Sequence, residues 1–347
     1  MIGIDIGSHS IKAVLLSQGG EGYVLEDFAI ESMPSGALVD REIQDIEAVG
    51  NVIAKIRKKI SLSIKLAAAA VSGQTVITKI IYMDVNLSEE ELASQIEIEA
   101  DNLIPYPLDE VSLDFESLDV NKSDPTKMDV LLSAARTESI EARVAALEFG
   151  GFEAKVIDVE SYALSRSYDL CIPMLPEDAK DKMVAIVDIG ANMTLFSASH
   201  AGKNVYSRDQ IFGGEKYTRS IVSYYNKSFE EAEAAKVNGD LPPNHHFEVL
   251  APFHTILVQQ VRRAIQMFLT SSGYEKVDYL VISGGTALVD GIQELLTEEL
   301  SIYTVIANPF GGMGVSENLD QSRLQLIAPQ LMVASGLALR SFSPWHI

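Results

Sequence analysis

The sequence predicts an α/β protein of two similar domains, each built around a mixed sheet, with a small α+β subdomain inserted in the first. One observation is a repeat: the tripeptide Asp-Ile-Gly ends an apolar strand at residues 5–7 and again at 188–190. A turn glycine then follows each copy at the same distance, Gly19 and Gly202. Strand-like and helix-like patterns also alternate along the chain. A duplicated strand–turn–strand unit heading each half indicates two related domains.

The first domain is predicted to comprise residues 1–180. Strand patterns lead from the first repeat into an amphipathic helix at 45–60 and a buried, alanine-rich strand at 65–73. A further strand and helix at 153–170 complete the domain. The linker-like stretch 173–182 then marks its end.

The inserted subdomain is predicted at about 80–152. Its first helix begins at Ser88, where Glu91 three residues later completes a capping-box pattern. Pro105 and Pro107 end that helix, because proline cannot continue it. Two strand patterns and a second helix follow.

The second domain is predicted at 181–330, with a helical subdomain at about 215–275. Between its second and third helix patterns, His245 and His246 are assigned to a solvated loop, because two adjacent histidines cannot easily bind one metal ion. The segment 331–347 is predicted to be a C-terminal helix that returns to the first domain.

Charge and composition restrict the function classes. The chain of 347 residues has 49 acidic and 27 basic side chains, a net charge of −22, which repels nucleic acid and anionic lipid at long range. We see no apolar run of membrane-spanning length and no signal-peptide pattern. Cys171 is the single cysteine and suits a reducing compartment. We therefore expect a cytoplasmic protein that contacts neither nucleic acid nor membrane directly, although simple solubility also explains the acidity.

The turn after Asp5 has the residue types of a phosphate site. Glycine lets the backbone approach an anion closely, hydroxyl groups donate to it, and a lysine adds a point charge. The predicted phosphate-binding set is Gly7, Ser8, His9, Ser10 and Lys12. Asp5 would repel a phosphate unless a cation lies between them, so it predicts a Mg²⁺–nucleotide site. For one copy alone, an aspartate capping a turn remains the simpler interpretation.

The second repeat predicts an opposing wall of the same site. Asp188 takes the position of Asp5 as the second predicted metal ligand. The predicted binding set on this wall is Gly190, Ala191, Asn192 and Thr194. A third turn, Gly284, Gly285 and Thr286, lies between an apolar strand and a helix, whose N-terminus can receive an anion or a nucleoside. Together the three turns predict a nucleotide bound with Mg²⁺.

In order and spacing, these turns resemble the two phosphate motifs and the adenosine motif of the actin–hexokinase–DnaK superfamily, with Gly291 completing the third. The resemblance covers essentially the whole chain. It implies the actin-like (ribonuclease H-like) fold, with ATP and Mg²⁺ in the cleft. Within the superfamily, the chain resembles the PilM family of type IV pilus assembly proteins through IEIEADNLIPYPLDEVSLDF at 96–115, DVESYAL at 158–164 and IANPF at 306–310.

The resemblance implies further site residues. Glu160 matches a carboxylate that orients the attacking water and is the catalytic candidate. Gly213 and Gly214 match a loop near the ribose, and Glu233 and Lys236 match a pair around the adenosine. From the residues alone, Glu160 could instead cap a helix, and Glu233 and Lys236 could lie on a solvated helix face.

The resemblance also implies a partner, the N-terminal cytoplasmic tail of the inner-membrane protein PilN. The region 84–119 contains twelve Asp and Glu residues and no Lys or Arg, so it would attract a basic tail. The candidates for binding the apolar side chains of the tail are Leu103, Ile104, Tyr106 and Leu108. These four could instead pack the insertion onto the first domain.

We therefore expect a cytoplasmic, actin-like ATP-binding scaffold of type IV pilus assembly, recruited to the inner-membrane assembly complex by PilN and open to self-association. Mg-ATP binding is expected, with hydrolysis slow or absent. One alternative is an FtsA-like cell-division protein, which would need an amphipathic membrane helix that 331–347 does not resemble. The other is a small-molecule kinase, which would need an additional carboxylate base.

Overall fold

The computed structural model describes residues 1–20, 22–60, 63–73 and 76–343. Residues 344–347, the end of the predicted segment 331–347, lie outside the described residues. The described strands, in chain order, are β1 (Ile2–Ile6), β2 (Ser10–Gly19), β3 (Gly22–Ser32), β4 (Leu38–Val39), β5 (Glu42–Ile43), β6 (Leu66–Val71), β7 (Ile77–Asp84), β8 (Val111–Val120), β9 (Lys127–Arg136), β10 (Glu153–Val159), β11 (Met183–Ile189), β12 (Thr194–His200), β13 (Lys203–Gln210), β14 (Tyr279–Ser283), β15 (Tyr303–Ile306) and β16 (Gly314–Val315).

The helices connect and cover these strands. In chain order they are α1 (Ile46–Lys59), α2 (Glu89–Leu103), α3 (Thr137–Phe149), α4 (Glu160–Tyr168), α5 (Glu215–Tyr225), α6 (Phe229–Asn238), α7 (Ala251–Ser272), α8 (Ile292–Leu300), α9 (Gln321–Ile327) and α10 (Met332–Ala338). Within the described residues, we find no helix with the length and apolar character needed to cross a membrane.

Two mixed sheets with the same topology form the frame of the molecule. The first has the strand order β10-β6-β1-β2-β3-β16 and the second the order β13-β12-β11-β14-β15. In each, the repeat strand (β1 or β11) pairs antiparallel with the next strand on one side and parallel with a later strand on the other. Both repeat strands are largely buried, as expected for the centre of a sheet with helices on both faces.

The two repeat turns have equivalent backbone geometry. In the first, the N–H of Gly7 donates to the carbonyl of Ser10 at 3.2 Å. In the second, the N–H of Gly190 donates to the carbonyl of Met193 at 2.9 Å. Both sheets therefore present a tight hairpin at the same end of their central strand.

The inserted subdomain is a three-stranded antiparallel sheet, β7-β9-β8, that packs against α2. The predicted capping box is present: the hydroxyl of Ser88 accepts from the N–H of Glu91, whose carboxylate accepts from the N–H of Ser88. The helix ends at Leu103, as the prolines require.

The four candidate partner residues contribute to the core of the subdomain itself. Ile104 is buried, with 6% of its surface exposed, and Leu103, Tyr106 and Leu108 are partly buried against the same cluster. These residues therefore pack in the core of the subdomain, between α2 and the small sheet. The side chain of Ile104 has almost no exposed surface, so it cannot be part of an open binding groove.

The C-terminal helix is shorter than its pattern suggests, because 3₁₀ turns flank α10 on both sides. It packs against α4, β1, β2 and β6. Glycine permits the closest of these contacts: a Cβ on Gly336 would lie 1.8 Å from the carbonyl oxygen of Ala163 in α4. A Cβ on Gly3 in β1 would lie 2.2 Å from the carbonyl oxygen of Ala334. The backbone of α10 thus touches both neighbours directly.

One hydrophobic cluster is shared by the two halves of the chain. It combines Leu164 of α4 with Val184 and Ile186 of β11 and with Met332 and Leu337 of the C-terminal segment. Each of these side chains is fully buried. The two sheets are therefore joined through a continuous apolar core behind the cleft.

Candidate functional site

A cavity of about 590 Å³ lies between the two halves, with both repeat turns on its walls. Its volume is typical of small-molecule sites. The structure places the following predicted site residues on its lining: Asp5, Gly7, Ser8, His9, Ser10, Lys12, Glu160, Asp188, Gly190, Ala191, Gly214, Glu233, Lys236, Gly285 and Thr286. Residues from distant parts of both halves thus meet around one space.

Asp5 and Lys12 form an ion pair on the first wall. They are register partners on β1 and β2, and Lys12 Nζ lies 3.1 Å from Asp5 Oδ2. Burial raises the pKa of Asp5, although Lys12 acts in the opposite direction. A Cβ on Gly7 would lie 2.8 Å from Lys12 Nζ, so glycine leaves room for the ammonium group beside the turn.

Asp188 on the second wall is a partly buried carboxylate without an ion-pair partner among the described residues. Its Oδ1 accepts a hydrogen bond from the hydroxyl of Ser283 at 2.7 Å. Burial raises the pKa of Asp188 to about 6, and the carboxylates of Glu160 and Asp5 add to this rise. An uncompensated buried carboxylate is costly, so a cation at this position would relieve the cost.

Four predicted binding residues do not line the cavity. Asn192 is exposed at the tip of its turn. Thr194 is buried, and its hydroxyl donates to the carbonyl of Phe212 at 2.8 Å. This hydrogen bond connects the start of β12 to the segment that follows β13. Gly213 and Gly284 allow close backbone packing, since a Cβ would lie 2.3 Å from the oxygen of Ala191 and 2.4 Å from that of Ile189, respectively.

Thr286 and Gly214 form the junction between the second and third turns. The hydroxyl of Thr286 donates to the carbonyl of Gly190 at 3.0 Å, and the N–H of Gly214 donates to the same carbonyl at 2.9 Å. A Cβ on Gly214 would lie 2.5 Å from the Thr286 hydroxyl. These residues therefore set the shape of the wall, and the hydroxyl of Thr286 is already engaged.

Glu160 is the first residue of α4 and is 6% exposed. Arg41, a residue outside the sequence prediction, donates from Nη1 to both carboxylate oxygens, at 3.1 and 2.9 Å. Glu160 therefore lies at the cavity in an ion pair. Asp158, the other nearby carboxylate, pairs with Arg166 at 3.0 Å and is not part of the lining.

Glu233 and Lys236 form an ion pair that reaches toward the first wall. Lys236 Nζ lies 2.7 Å from Glu233 Oε2, and the hydroxyl of Thr218 donates to the same oxygen at 2.5 Å. Burial acts to raise the pKa of Glu233, but Lys236 and Thr218 outweigh it, so the net shift is downward. Across the cleft, His9 Nε2 lies 3.9 Å from Glu233 Oε1. This contact joins the two walls.

The sequence prediction missed several residues of the cavity lining. Tyr217, Leu241 and Leu250 add apolar surface there, and His245 and His246 also belong to the lining. The prediction of a solvated loop is wrong for both histidines, because they lie in the helical turn that follows Pro242 and Pro243 and leads directly into α7. This turn borders the cavity. The adjacent prolines and glycine indicated a loop, but no local pattern indicates which surface a loop covers.

The charges around the cavity leave an excess of carboxylates. Asp5, Asp188 and Glu160 line it together with the cations Lys12 and Arg41. Across the described residues, no three His, Cys, Asp or Glu side chains come together as a complete metal cage. Mg²⁺ is commonly held by one or two carboxylates together with water and phosphate oxygens, so the two aspartates fit an ion bound with a phosphate ligand.

Comparison with known proteins connects this site to a family. The family profile described as "Type IV pilus assembly protein PilM" matches residues 3–342. Among solved structures, the chain is similar to one in a "PilM-PilN type IV pilus biogenesis complex", with 25% identity, a TM-score of 0.84 and coverage of 99% of this chain and 98% of that one.

More distant similarities agree with the architecture. The ethanolamine utilization protein EutJ from Carboxydothermus hydrogenoformans is 17% identical, with a TM-score of 0.58, over 97% of this chain and 88% of its own. The cell division protein FtsA of Helicobacter pylori (strain J99) is 26% identical over 247 residues, 61% of this chain and 48% of that protein. The chain thus spans about half the length of this curated relative. The predicted actin-like fold, with duplicated sheets and an inserted subdomain, is confirmed.

Proposed function

Because this chain belongs to the type IV pilus assembly protein PilM family, we propose that it is an actin-like, nucleotide-binding scaffold. Its cleft binds ATP or ADP together with Mg²⁺. The loaded protein binds the N-terminal cytoplasmic tail of PilN and thereby joins the pilus assembly complex at the inner membrane. The similarity to a chain from a PilM–PilN complex supports this choice of partner.

The observation that carries the nucleotide proposal is the pair of matching turns on opposite walls of one cavity. Each turn ends a central strand with Asp-x-Gly and closes with an equivalent backbone hydrogen bond. Backbone N–H groups of such turns, with Ser8 and Lys12, are suited to phosphate oxygens. The lining also contains the apolar residues Leu241, Leu288 and Val289, which are suited to contact with a base.

The aspartates support the Mg²⁺ part of the proposal. Asp188 is partly buried and has no ion pair among the described residues, and Asp5 has only the single ammonium group of Lys12. When bound, Mg²⁺ would neutralise charge between these carboxylates and the phosphates. Lys12 and the turn N–H groups would hold the phosphates in place.

Direct detection of nucleotide tests this proposal. Purified protein is denatured, and the supernatant is analysed for ATP and ADP. Protein stripped of nucleotide is then titrated with Mg-ATP and with Mg²⁺ alone while its melting temperature is followed. We expect stabilisation by Mg-ATP and none by Mg²⁺ alone. No nucleotide in the supernatant, together with no stabilisation, would remove the proposal.

Glu160→Gln is expected to keep ATP affinity within about tenfold, a change of about 1.4 kcal/mol, and to lower any hydrolysis rate. Glutamine preserves the size of the side chain and one oxygen for Arg41, but it cannot accept a proton from water. The measurements are a binding titration and a phosphate-release assay. Asp158→Asn serves as the matched control, because that carboxylate pairs with Arg166 outside the cavity. If Glu160→Gln lost ATP binding, we would conclude that Glu160 has a structural role and not a catalytic one.

We place the PilN tail on the exposed side of residues 103–108. Leu103, Tyr106 and Leu108 keep part of their surface free although they support the subdomain core, and the prolines between them are exposed. Pro105 and Pro107 restrict the segment, so little conformational entropy remains to be lost on binding. The surrounding carboxylates favour a basic tail.

Tyr106→Ala is expected to weaken binding of a synthetic PilN-tail peptide at least tenfold, because tyrosine is a frequent binding hot spot. The matched control is Tyr82→Ala, on the same subdomain, where the side chain is 58% exposed on β7. We expect less than a twofold change for that variant. If only Tyr82→Ala lost binding, we would conclude that the tail binds the open face of the small sheet. Peptide titration by fluorescence anisotropy distinguishes the two results.

A further inference from the structure

Arg41 occupies a short hairpin that the sequence did not predict. Strands β4 and β5 are joined by the two residues Asp40 and Arg41, whose φ angles are 49° and 70°. Two-residue hairpins need positive φ at both positions and favour Asn-Gly or Asp-Gly there. Glycine adopts such angles at less cost than arginine. The geometry of the turn therefore does not favour arginine at position 41. The presence of arginine there indicates a role for its side chain.

The hairpin is held rigidly by a second, buried arginine. Arg143 donates from Nη2 to the carbonyl of Arg41 and from Nε to the carbonyl of Ala70, both at 2.7 Å. The hydroxyl of Ser139 donates to the carboxylate of Glu42 in β5. These bonds hold the carbonyl of Arg41 and the side chain of the next residue, Glu42. The Arg41 side chain itself lies on the lining of the cavity.

The guanidinium of Arg41 lies where carboxylates of both halves converge. The carboxylate of Glu160 accepts hydrogen bonds from Nη1 of Arg41, and the carboxylate of Asp209 in β13 lies close enough to raise the pKa of Arg41. Burial acts to lower the pKa of Arg41, but Glu160, Asp209, Asp5 and Asp188 outweigh it and raise the pKa. Arg41 is therefore a permanent cation at the end of the cavity that holds the two metal-ligand candidates.

The observed arrangement leaves the Nε–H of Arg41, which is buried, without a hydrogen bond within the part of the chain that the structure describes. A buried unsatisfied donor is unfavourable. An anionic ligand that reaches this end of the cavity would therefore stabilise the guanidinium, because it would give the Nε–H an acceptor that Glu160 does not provide.

We propose that Arg41 distinguishes a nucleoside triphosphate from a diphosphate in this cleft. The proposal rests on the proposed nucleotide function. With a diphosphate, Arg41 keeps the pair with Glu160 described above. With a triphosphate, the guanidinium turns to the terminal phosphate, which offers the oxygens that its fork-shaped donors match, and Glu160 is released toward the cavity. Arg41 is thus a specificity residue and also a positioning residue for Glu160.

The test compares ATP and ADP affinity in the presence of Mg²⁺. Arg41→Gly removes the guanidinium and fits the backbone of the turn, and Arg41→Lys keeps a charge for Glu160 but loses the fork. The control is Arg263→Ala, which removes one positive charge on the exposed side of α7, away from the cavity. Melting curves of the nucleotide-free variants show whether each one is folded.

We expect Arg41→Gly to lose about tenfold or more in ATP affinity and less than twofold in ADP affinity, with Arg41→Lys in between and Arg263→Ala unchanged. A purely structural ion pair would lower both affinities together or neither, and either result overturns the inference. If the unaltered protein binds neither nucleotide, the proposed function fails, and this inference with it. If it binds both but Arg41→Gly keeps the same ATP-to-ADP ratio, the inference alone fails.

Discussion

Asp188→Ala is expected to abolish the stabilisation of this protein by ATP and Mg²⁺. A ligand at a hundredfold its dissociation constant stabilises the native state by about 2.7 kcal/mol, which is easily seen as a melting shift. Asp188 is the partly buried carboxylate of the second wall, with only the hydroxyl of Ser283 as a hydrogen-bond partner among the described residues. Under the proposed function, Asp188→Ala would remove the carboxylate that would hold Mg²⁺ on that wall. Asp5→Ala should act in the same direction on the first wall.

Two controls separate loss of the ligand from loss of the fold. Asp181→Ala removes an exposed carboxylate of the same half and should keep the full shift. Nucleotide-free Asp188→Ala should melt no lower than the unaltered protein, because it removes a buried charge. A full Mg-ATP shift in both Asp5→Ala and Asp188→Ala would contradict the site.

The pKa of Asp188 adds a pH dependence to the same measurement. Its folded-state pKa, about 6, lies above the ordinary aspartate value of 3.8. The native protein therefore binds more protons than the unfolded chain between these values, and this group makes the ligand-free fold more stable as pH falls toward 4. Metal binding needs the charged form, so the Mg-ATP shift should shrink as pH falls below about 6.

Gly336→Ala is expected to destabilise the protein by about 3 kcal/mol or more, at the upper end of the usual cost of overpacking. The added methyl group would lie 1.8 Å from the carbonyl oxygen of Ala163 and 2.5 Å from its carbonyl carbon. Both are backbone atoms of α4, so no side-chain rotation can make room. Helices α4 and α10 would have to separate.

The measurement is the midpoint of chemical denaturation. Gly20→Ala is the matched control, because a Cβ there meets no atom within 4 Å. We expect its midpoint to remain within experimental error of the unaltered protein. Equal midpoints for Gly336→Ala and Gly20→Ala would mean that α10 can shift without cost, contrary to the packing described above.

The repeat made the frame of the molecule predictable. Because Asp5 and Asp188 end equivalent apolar strands, the sequence indicated two similar sheets and two facing turns. Short-range patterns such as the Ser88 capping box were equally accessible, since they depend on residues three positions apart. The nucleotide-site prediction therefore depended on local signals that happen to occur twice.

The Arg41–Glu160 pair could not be predicted in the same way. Its members lie 119 positions apart, and the two-residue strands of the hairpin are too short for a periodic pattern. Asp-Arg also lacks the glycine that usually signals such a turn. Similarly, the apolar residues Leu103 and Ile104 were visible in the sequence, but the sequence could not tell a binding surface from the core of a small subdomain.

The apolar cluster shared by the two halves has a mechanical consequence. Leu164, Val184 and Leu337 pack together behind the cleft, so the sheets cannot separate there without exposing a buried core. Opening of the cleft would therefore leave this core closed and move mainly the parts of the two halves that lie away from it. One such part is the inserted subdomain, where Asp119 of β8 forms an ion pair at 3.0 Å with Lys203 of β13 in the second sheet. A change in the angle between the two halves would change the distance between these two residues, and so the position of a surface that a partner can contact.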